Sequence, residues 1–129
     1  MILVDTSVWI DHLRAGSAAL ARLLDHGDVL GHPWVVGELA LGHLGQRGEV
    51  IGLLASLPQA AVATPAEVLV LIERHELYGV GIGYVDAQLL AATKLTPGAT
   101  LWSTDRHLVA VSSRLGHTFD PETSDENRR

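Results

Sequence analysis

The sequence predicts one α/β domain, a three-layer α/β/α sandwich whose mainly parallel sheet has about five strands. Three observations carry this expectation. Short apolar runs alternate with segments of helical length and period. The first run, Ile2-Leu3-Val4, is apolar throughout, as in a strand buried on both faces. The chain has 129 residues, 47% of them hydrophobic, which suits a single core.

The elements follow in order. After the first strand, Asp5, Thr6 and Ser7 offer capping oxygens for a helix from about Val8. Ser17 caps a second helix with Leu20, Leu23 and Leu24 on its inner face, and Gly27 stops it. Val29-Leu30 is the second strand. Pro33 opens a helix over residues 34–43, and residues 48–56 form another, closed by Pro58. Residues 61–63 are a strand candidate. Thr64-Pro65-Ala66-Glu67 is a capping box with proline at the first helical position, predicting a helix to about Tyr78, before Gly79. A helix over 84–95 carries Val85, Leu89 and Ala92 as its stripe, and Thr96-Pro97-Gly98 ends it. Thr100-Leu101-Trp102 is a strand, 105–115 a helix, and Thr118-Phe119 a last strand. Residues 1–119 are thus expected to form the domain and 120–129 a polar, disordered tail.

Composition limits the chemistry. With no cysteine there is no disulfide, thiolate metal site or cysteine nucleophile. No apolar run approaches the roughly 18 to 20 residues that span a bilayer, so the expectation is a soluble, cytoplasmic protein with no membrane partner. Fifteen acids against nine Lys and Arg, for a net charge of −6, argue against a strongly basic groove.

Ligands of open parallel sheets bind beyond the carboxyl ends of the strands. Asp5 follows the first strand and Asp105 the fourth. Glu38 borders a core-facing stripe inside Trp34-Val35-Val36-Gly37-Glu38-Leu39-Ala40-Leu41, where a carboxylate is expected to be paired or metal-bound. Asp86 lies in the first turn of its helix. Each of the four has an ordinary reading as a cap, a dipole partner or a solvated acid. Taken together on one sheet edge they repel one another and call for a cation, and an oxygen-only donor set suits Mg²⁺ or Mn²⁺. Such a site serves phosphoester hydrolysis by activated water. On this reading, relief of repulsion makes Asp5→Asn stabilising in the metal-free protein.

The segments MILVDTSVWIDHLR, GELALG, GVGIGYVDAQLLAATKL and LWSTDRHL together resemble the PIN-domain ribonuclease toxins of the VapC family, in the expected order over roughly residues 1–119. The resemblance implies a PIN-like sandwich acting as the toxin of a toxin–antitoxin pair, an endoribonuclease dependent on one or two Mg²⁺ or Mn²⁺ ions. By this resemblance Asp5, Glu38, Asp86 and Asp105 are the catalytic and metal-binding residues. Thr6 matches the hydroxyl residue after the first acid. Ser103 stands where the family usually has threonine, keeping the hydroxyl without the methyl. Implied partners are RNA, a cognate antitoxin whose tail enters the acidic pocket, and a second copy in a homodimer.

Arg106 and His107 are candidate phosphate or proton contacts, and Arg14 is a further phosphate candidate. The remaining histidines read as surface or capping residues. Gly79-Val80-Gly81-Ile82-Gly83 lacks the spacing of a phosphate-binding loop and reads as an entry loop. Trp9, Trp34 and Trp102 read as core or interface. Two other functions stay open: a catalytically silent module that binds RNA or a regulator, and an aspartyl-nucleophile phosphatase using Asp5, although the second acid of the D-x-D pattern is missing.

Overall fold

The computed structural model describes residues 1–122. Of the polar tail expected at 120–129, residues 123–129 lie outside the described residues. The order is β1 (Ile2–Val4), α1 (Thr6–Ala15), α2 (Ala18–Asp25), β2 (Val29–Leu30), α3 (Pro33–Ala40), α4 (Arg47–Ser56), α5 (Pro65–Arg74), α6 (Tyr84–Leu95), β3 (Thr100–Trp102) and α7 (Arg106–Arg114).

The sheet is parallel with β1 central, in the order β2-β1-β3. Leu3 pairs with Leu30 on one side and with Leu101 on the other. Successive strand residues face opposite sides, so burial of Ile2, Leu3 and Val4 alike means that both faces of β1 are covered. Leu20, Leu54, Leu89, Leu90, Leu101 and Leu108, from helices and sheet, fill the core around it.

The expected five strands reduce to three, with two single bridged pairs, Gly31 to Gln59 and Leu101 to Thr118, in place of the others. Residues 61–63 form no strand. The bridge falls earlier, at Gln59, and the Ala61 N–H donates to Thr96 Oγ1 (2.9 Å) rather than to a neighbouring strand. At the other edge Thr118 alone bridges, while Leu101 and residues 117 and 119 exchange backbone bonds of 2.7 and 2.9 Å.

Helix starts follow the predicted caps. Thr64 and Glu67 form a reciprocal capping box with Pro65 in the first turn, and Ser17 Oγ accepts from Leu20 N. The end of α5 differs: it stops at Arg74, not near Tyr78. Glu76 takes the left-handed conformation (φ +53°), and the Leu77 N–H returns to the Ile72 carbonyl while Leu77 is buried. This is the hydrogen bonding of a Schellman turn, completed without glycine. Helix α3 also ends early, at Ala40, before the expected residue 43.

His32, one of the histidines read as surface or capping residues, is a cap: its Nδ1 accepts from Trp34 N (3.1 Å) at the start of α3. The ring is fully buried, Nε2 has no partner, and burial holds its pKa below the usual 6.5. Because the unfolded chain takes up this proton first, stability falls as pH drops below 6.5. His32→Asn, which keeps a capping oxygen, is expected to flatten that part of a melting temperature against pH curve relative to wild type; parallel curves would exclude a buried neutral imidazole.

Candidate active site

Parallel pairing of β1 with β3 sets their carboxyl ends side by side, and the backbone bond from Asp5 N to the Trp102 carbonyl (2.9 Å) continues that alignment. The chain leaves β1 toward β2 on one side while β3 lies on the other, so this edge is a topological switch point. Asp5 follows β1, and Ser103 to Asp105 follow β3.

Asp5 is 5% exposed, and three donors hold it. Its Oδ1 accepts from Thr6 N (2.8 Å), and Oδ2 accepts from Ser7 Oγ (2.9 Å) and Ser103 Oγ (2.7 Å). Ser103 Oγ in turn accepts from Asp105 N (3.0 Å), and Ser7 Oγ from Thr104 N (3.1 Å). Ser7 had been read only as a source of capping oxygens; the hydroxyl two residues after a strand-ending acid was its one sequence signal.

Glu38 reaches the site from α3, where Thr6 Oγ1 donates to its Oε1 (2.6 Å). Glu38, expected at the border of a core stripe and paired or metal-bound, is exposed and has Thr6 as its hydrogen-bond partner. Asp105 caps α7, its Oδ1 accepting from His107 N (2.9 Å) and Leu108 N (3.1 Å). Asp86 Oδ2 accepts from Gly83 N (3.1 Å) at the start of α6.

Asp86 couples the four acids. Its pKa is raised, first by burial and then by the negative charges of Asp5, Asp105 and Glu38, with the Gly83 hydrogen bond opposing the shift. One oxygen each of Glu38, Asp86 and Asp105 accepts no hydrogen bond from the described residues. Those oxygens are hard donors suited to Mg²⁺ or Mn²⁺. In this arrangement no three His, Asp or Glu side chains among the described residues are gathered closely enough to hold one ion. A cation engaging more than two of them must draw their side chains inward.

The basic candidates separate. Arg14 pairs with Asp11 (3.3 Å) in an exposed ion pair, a structural role of small energetic value. His107 Nδ1 lies 3.9 Å from Asp105 Oδ1, while Arg106 meets no carboxylate among the described residues. Trp9 and Trp102 are core, whereas Trp34 is 40% exposed and meets Tyr84 edge-on. Asp5 is poorly placed as a phosphoryl acceptor, since it is buried and both its oxygens already accept hydrogen bonds.

The fold is that of a PIN-type α/β domain. The crystal structure of FitAcB from Neisseria gonorrhoeae has the same fold, with a TM-score of 0.64 at 23% identity, covering 95% of this chain and 99% of that one. No family model matches the chain. Ribonuclease VapC32 of Mycobacterium tuberculosis, in strains CDC 1551 / Oshkosh and ATCC 25618 / H37Rv, is 49% identical over 124 residues, covering 96% of this chain and 100% of the relative. The chain belongs to the VapC family of PIN-domain ribonuclease toxins. Among the described residues no helix is long and apolar enough to cross a membrane.

The field at Asp86 has a measurable consequence. Its folded pKa exceeds the unfolded 3.8, so the folded state binds the proton more tightly and its ionisation weakens the fold as pH rises from 3.8 through the raised value. The Asp5 carboxylate, by contrast, holds three donors, and its amide would lose part of that set, at a cost of about 1–3 kcal/mol. The stabilising substitution expected at Asp5 therefore moves to Asp86. Asp86→Asn, which keeps an oxygen for Gly83 N, is expected to raise the melting temperature of metal-free protein at pH 7, the gain shrinking toward pH 4. An unchanged or lowered value at pH 7 would contradict the repulsion.

Proposed function

We propose that this protein is the toxin of a toxin–antitoxin pair and an endoribonuclease that hydrolyses RNA phosphodiester bonds with Mg²⁺ or Mn²⁺, using Asp5, Glu38, Asp86 and Asp105. The observation that supports this most is the placement of Asp5 and Asp105 side by side at the switch point of the sheet, linked through Ser103 Oγ, with Glu38 joined to the same turn by Thr6 Oγ1 and Asp86 in the field of the other three. The relation to Ribonuclease VapC32 along nearly the whole chain supports the activity, and the unoccupied carboxylate oxygens support the metal.

One or two divalent cations, held by the carboxylates of Asp5, Glu38, Asp86 and Asp105, would supply positive charge that offsets them and would lower the pKa of a water for attack on phosphorus. The protein's own contribution is orientation. Ser7 and Ser103 fix the Asp5 carboxylate, and Thr6 holds Glu38 by one oxygen and leaves the other free. Ser103 also ties Asp5 to the start of α7, so the two strand-end acids are positioned by one hydroxyl. No side chain is required as a covalent nucleophile.

An antitoxin and a second copy of the chain complete the proposed partners, in a cytoplasmic setting. An open groove of about 680 Å³ reaches Glu38 and is lined by Ile10, Leu13, Leu39 and Leu44. Ile10 and Leu13 are 49% and 41% exposed, which suits a protein segment entering beside the acids.

The test is cleavage of RNA by purified protein with Mg²⁺ or Mn²⁺. Activity is expected to vanish in EDTA and in Asp5→Asn, with folding of the variant checked by circular dichroism. Ser103→Ala keeps every acid and is expected to lose activity about 10- to 100-fold, the usual effect of removing a group that orients a ligand. Wild-type cleavage rates in Asp5→Asn would overturn the site, and RNA binding without cleavage under any metal would favour the silent module.

A further inference from the structure

Helix α7 begins at the acidic pocket, with Asp105 as its cap, and runs away from it. Arg106, Ala110 and Arg114 lie at four-residue intervals, hence on one face, and all are exposed. The two arginines are about 12 Å apart along the axis. With Val80, His107 and Val111 they line an open groove of about 370 Å³ that holds no carboxylate. Its near wall is built closely: the His107 ring rests against Gly81, where an added Cβ would lie 2.6 Å from Cδ2 and φ is +84°. Glycine at 81 is what allows the loop over residues 79–83 to close on that ring.

We propose that this face of α7 is a track for the sugar-phosphate backbone of single-stranded RNA, leading out of the acidic pocket. This rests on the ribonuclease reading and adds to it where the RNA lies.

Three observations carry the assignment. Arg106 is an exposed cation with no carboxylate partner among the described residues, on a chain of net charge −6; Arg14 is paired with Asp11, and Arg47 donates to the carbonyls of Ala40 and Gly42. Arg114 donates to the His75 carbonyl (3.0 Å), which steadies its guanidinium while leaving further N–H donors. Beyond it the positive field continues: His75 is held below its usual pKa by burial and by Lys94, Arg74, Arg114 and His117.

The floor is aliphatic, formed by Val80, Ala110 and Val111, and the ring in the lining, His107, is packed against Gly81. The groove's contacts are to backbone charge and independent of sequence. It is a short cationic face, compatible with the overall acidity that excludes a strongly basic groove.

The test uses the full chain carrying Asp5→Asn to prevent cleavage, a short fluorescent RNA of mixed sequence, and fixed Mg²⁺. The logarithm of the binding constant is measured against the logarithm of KCl concentration. Arg106→Ala and Arg114→Ala should each make the slope shallower by about 0.7, and the double variant by about 1.4, one released counterion contribution per phosphate contact. Arg14→Ala should leave it unchanged. Arg106→Ala should also leave the melting temperature unchanged, so its effect on binding is free of folding. Unchanged slopes in an otherwise RNA-cleaving protein would overturn the track alone and leave α7 as a surface for an acidic protein segment. Absence of both cleavage and RNA binding in the wild-type chain would overturn the track together with the ribonuclease reading.

Discussion

A carboxylate buried at the carboxyl end of the central strand is the constraint around which the site is arranged. Asp5 is nearly sealed from solvent, and an ionised group there must be supplied with donors. Thr6 N, Ser7 Oγ and Ser103 Oγ supply them, and two of these come from the same turn as Asp5. The third comes from the far end of the chain and is available only because β3 pairs in register with β1. Since Ser103 Oγ also accepts from Asp105 N, one hydroxyl links the central strand, the exit of β3 and the start of α7. Sheet register and site geometry are therefore the same feature.

The other acids are held differently, and this division has chemical sense. Asp5 is fully engaged and rigid. Glu38, Asp86 and Asp105 are each tied by one oxygen, and the other accepts no hydrogen bond among the described residues. A pocket with one fixed acid and three partly free ones keeps a defined centre and still adapts as charge is added or removed. The crowding is expressed at Asp86, whose pKa is raised by burial and by the negative charges of the other three. Four of the chain's fifteen acids thus lie where a cation would reside, while Arg106 and Arg114 lie along the helix that leads away.

Much of this was legible in the sequence. An unbroken apolar triplet ending in Asp identified β1 and Asp5, the capping box identified the start of α5, and three acids at element boundaries, with Glu38 inside α3, are the sequence signal for the proposed site. What the sequence hid depended on distant partners. The strand expected at 61–63 failed because its backbone is claimed by Thr96, 35 residues away. The end of α5 was misplaced because Glu76, not a glycine, takes the left-handed turn, stabilised by burial of Leu77. Glu38 borders a core-facing stripe in the sequence and is exposed in the structure, since helical period alone does not say how far α3 turns toward α1. Ser7 was overlooked because a hydroxyl in a capping position looks the same whether it serves a helix or a buried acid.

The coupling of the four acids is open to direct measurement. Titration of the Asp86 carboxyl carbon by NMR, in wild type and in the Glu38→Gln and Asp105→Asn variants, reads the field at that position without metal or RNA. Its apparent pKa should lie above 3.8 in the wild type, fall in each variant, and stay above 3.8 because burial, the larger cause, remains. An Asp86 that titrates identically in all three proteins would show that the carboxylates do not act on one another, and the shared pocket would be refuted.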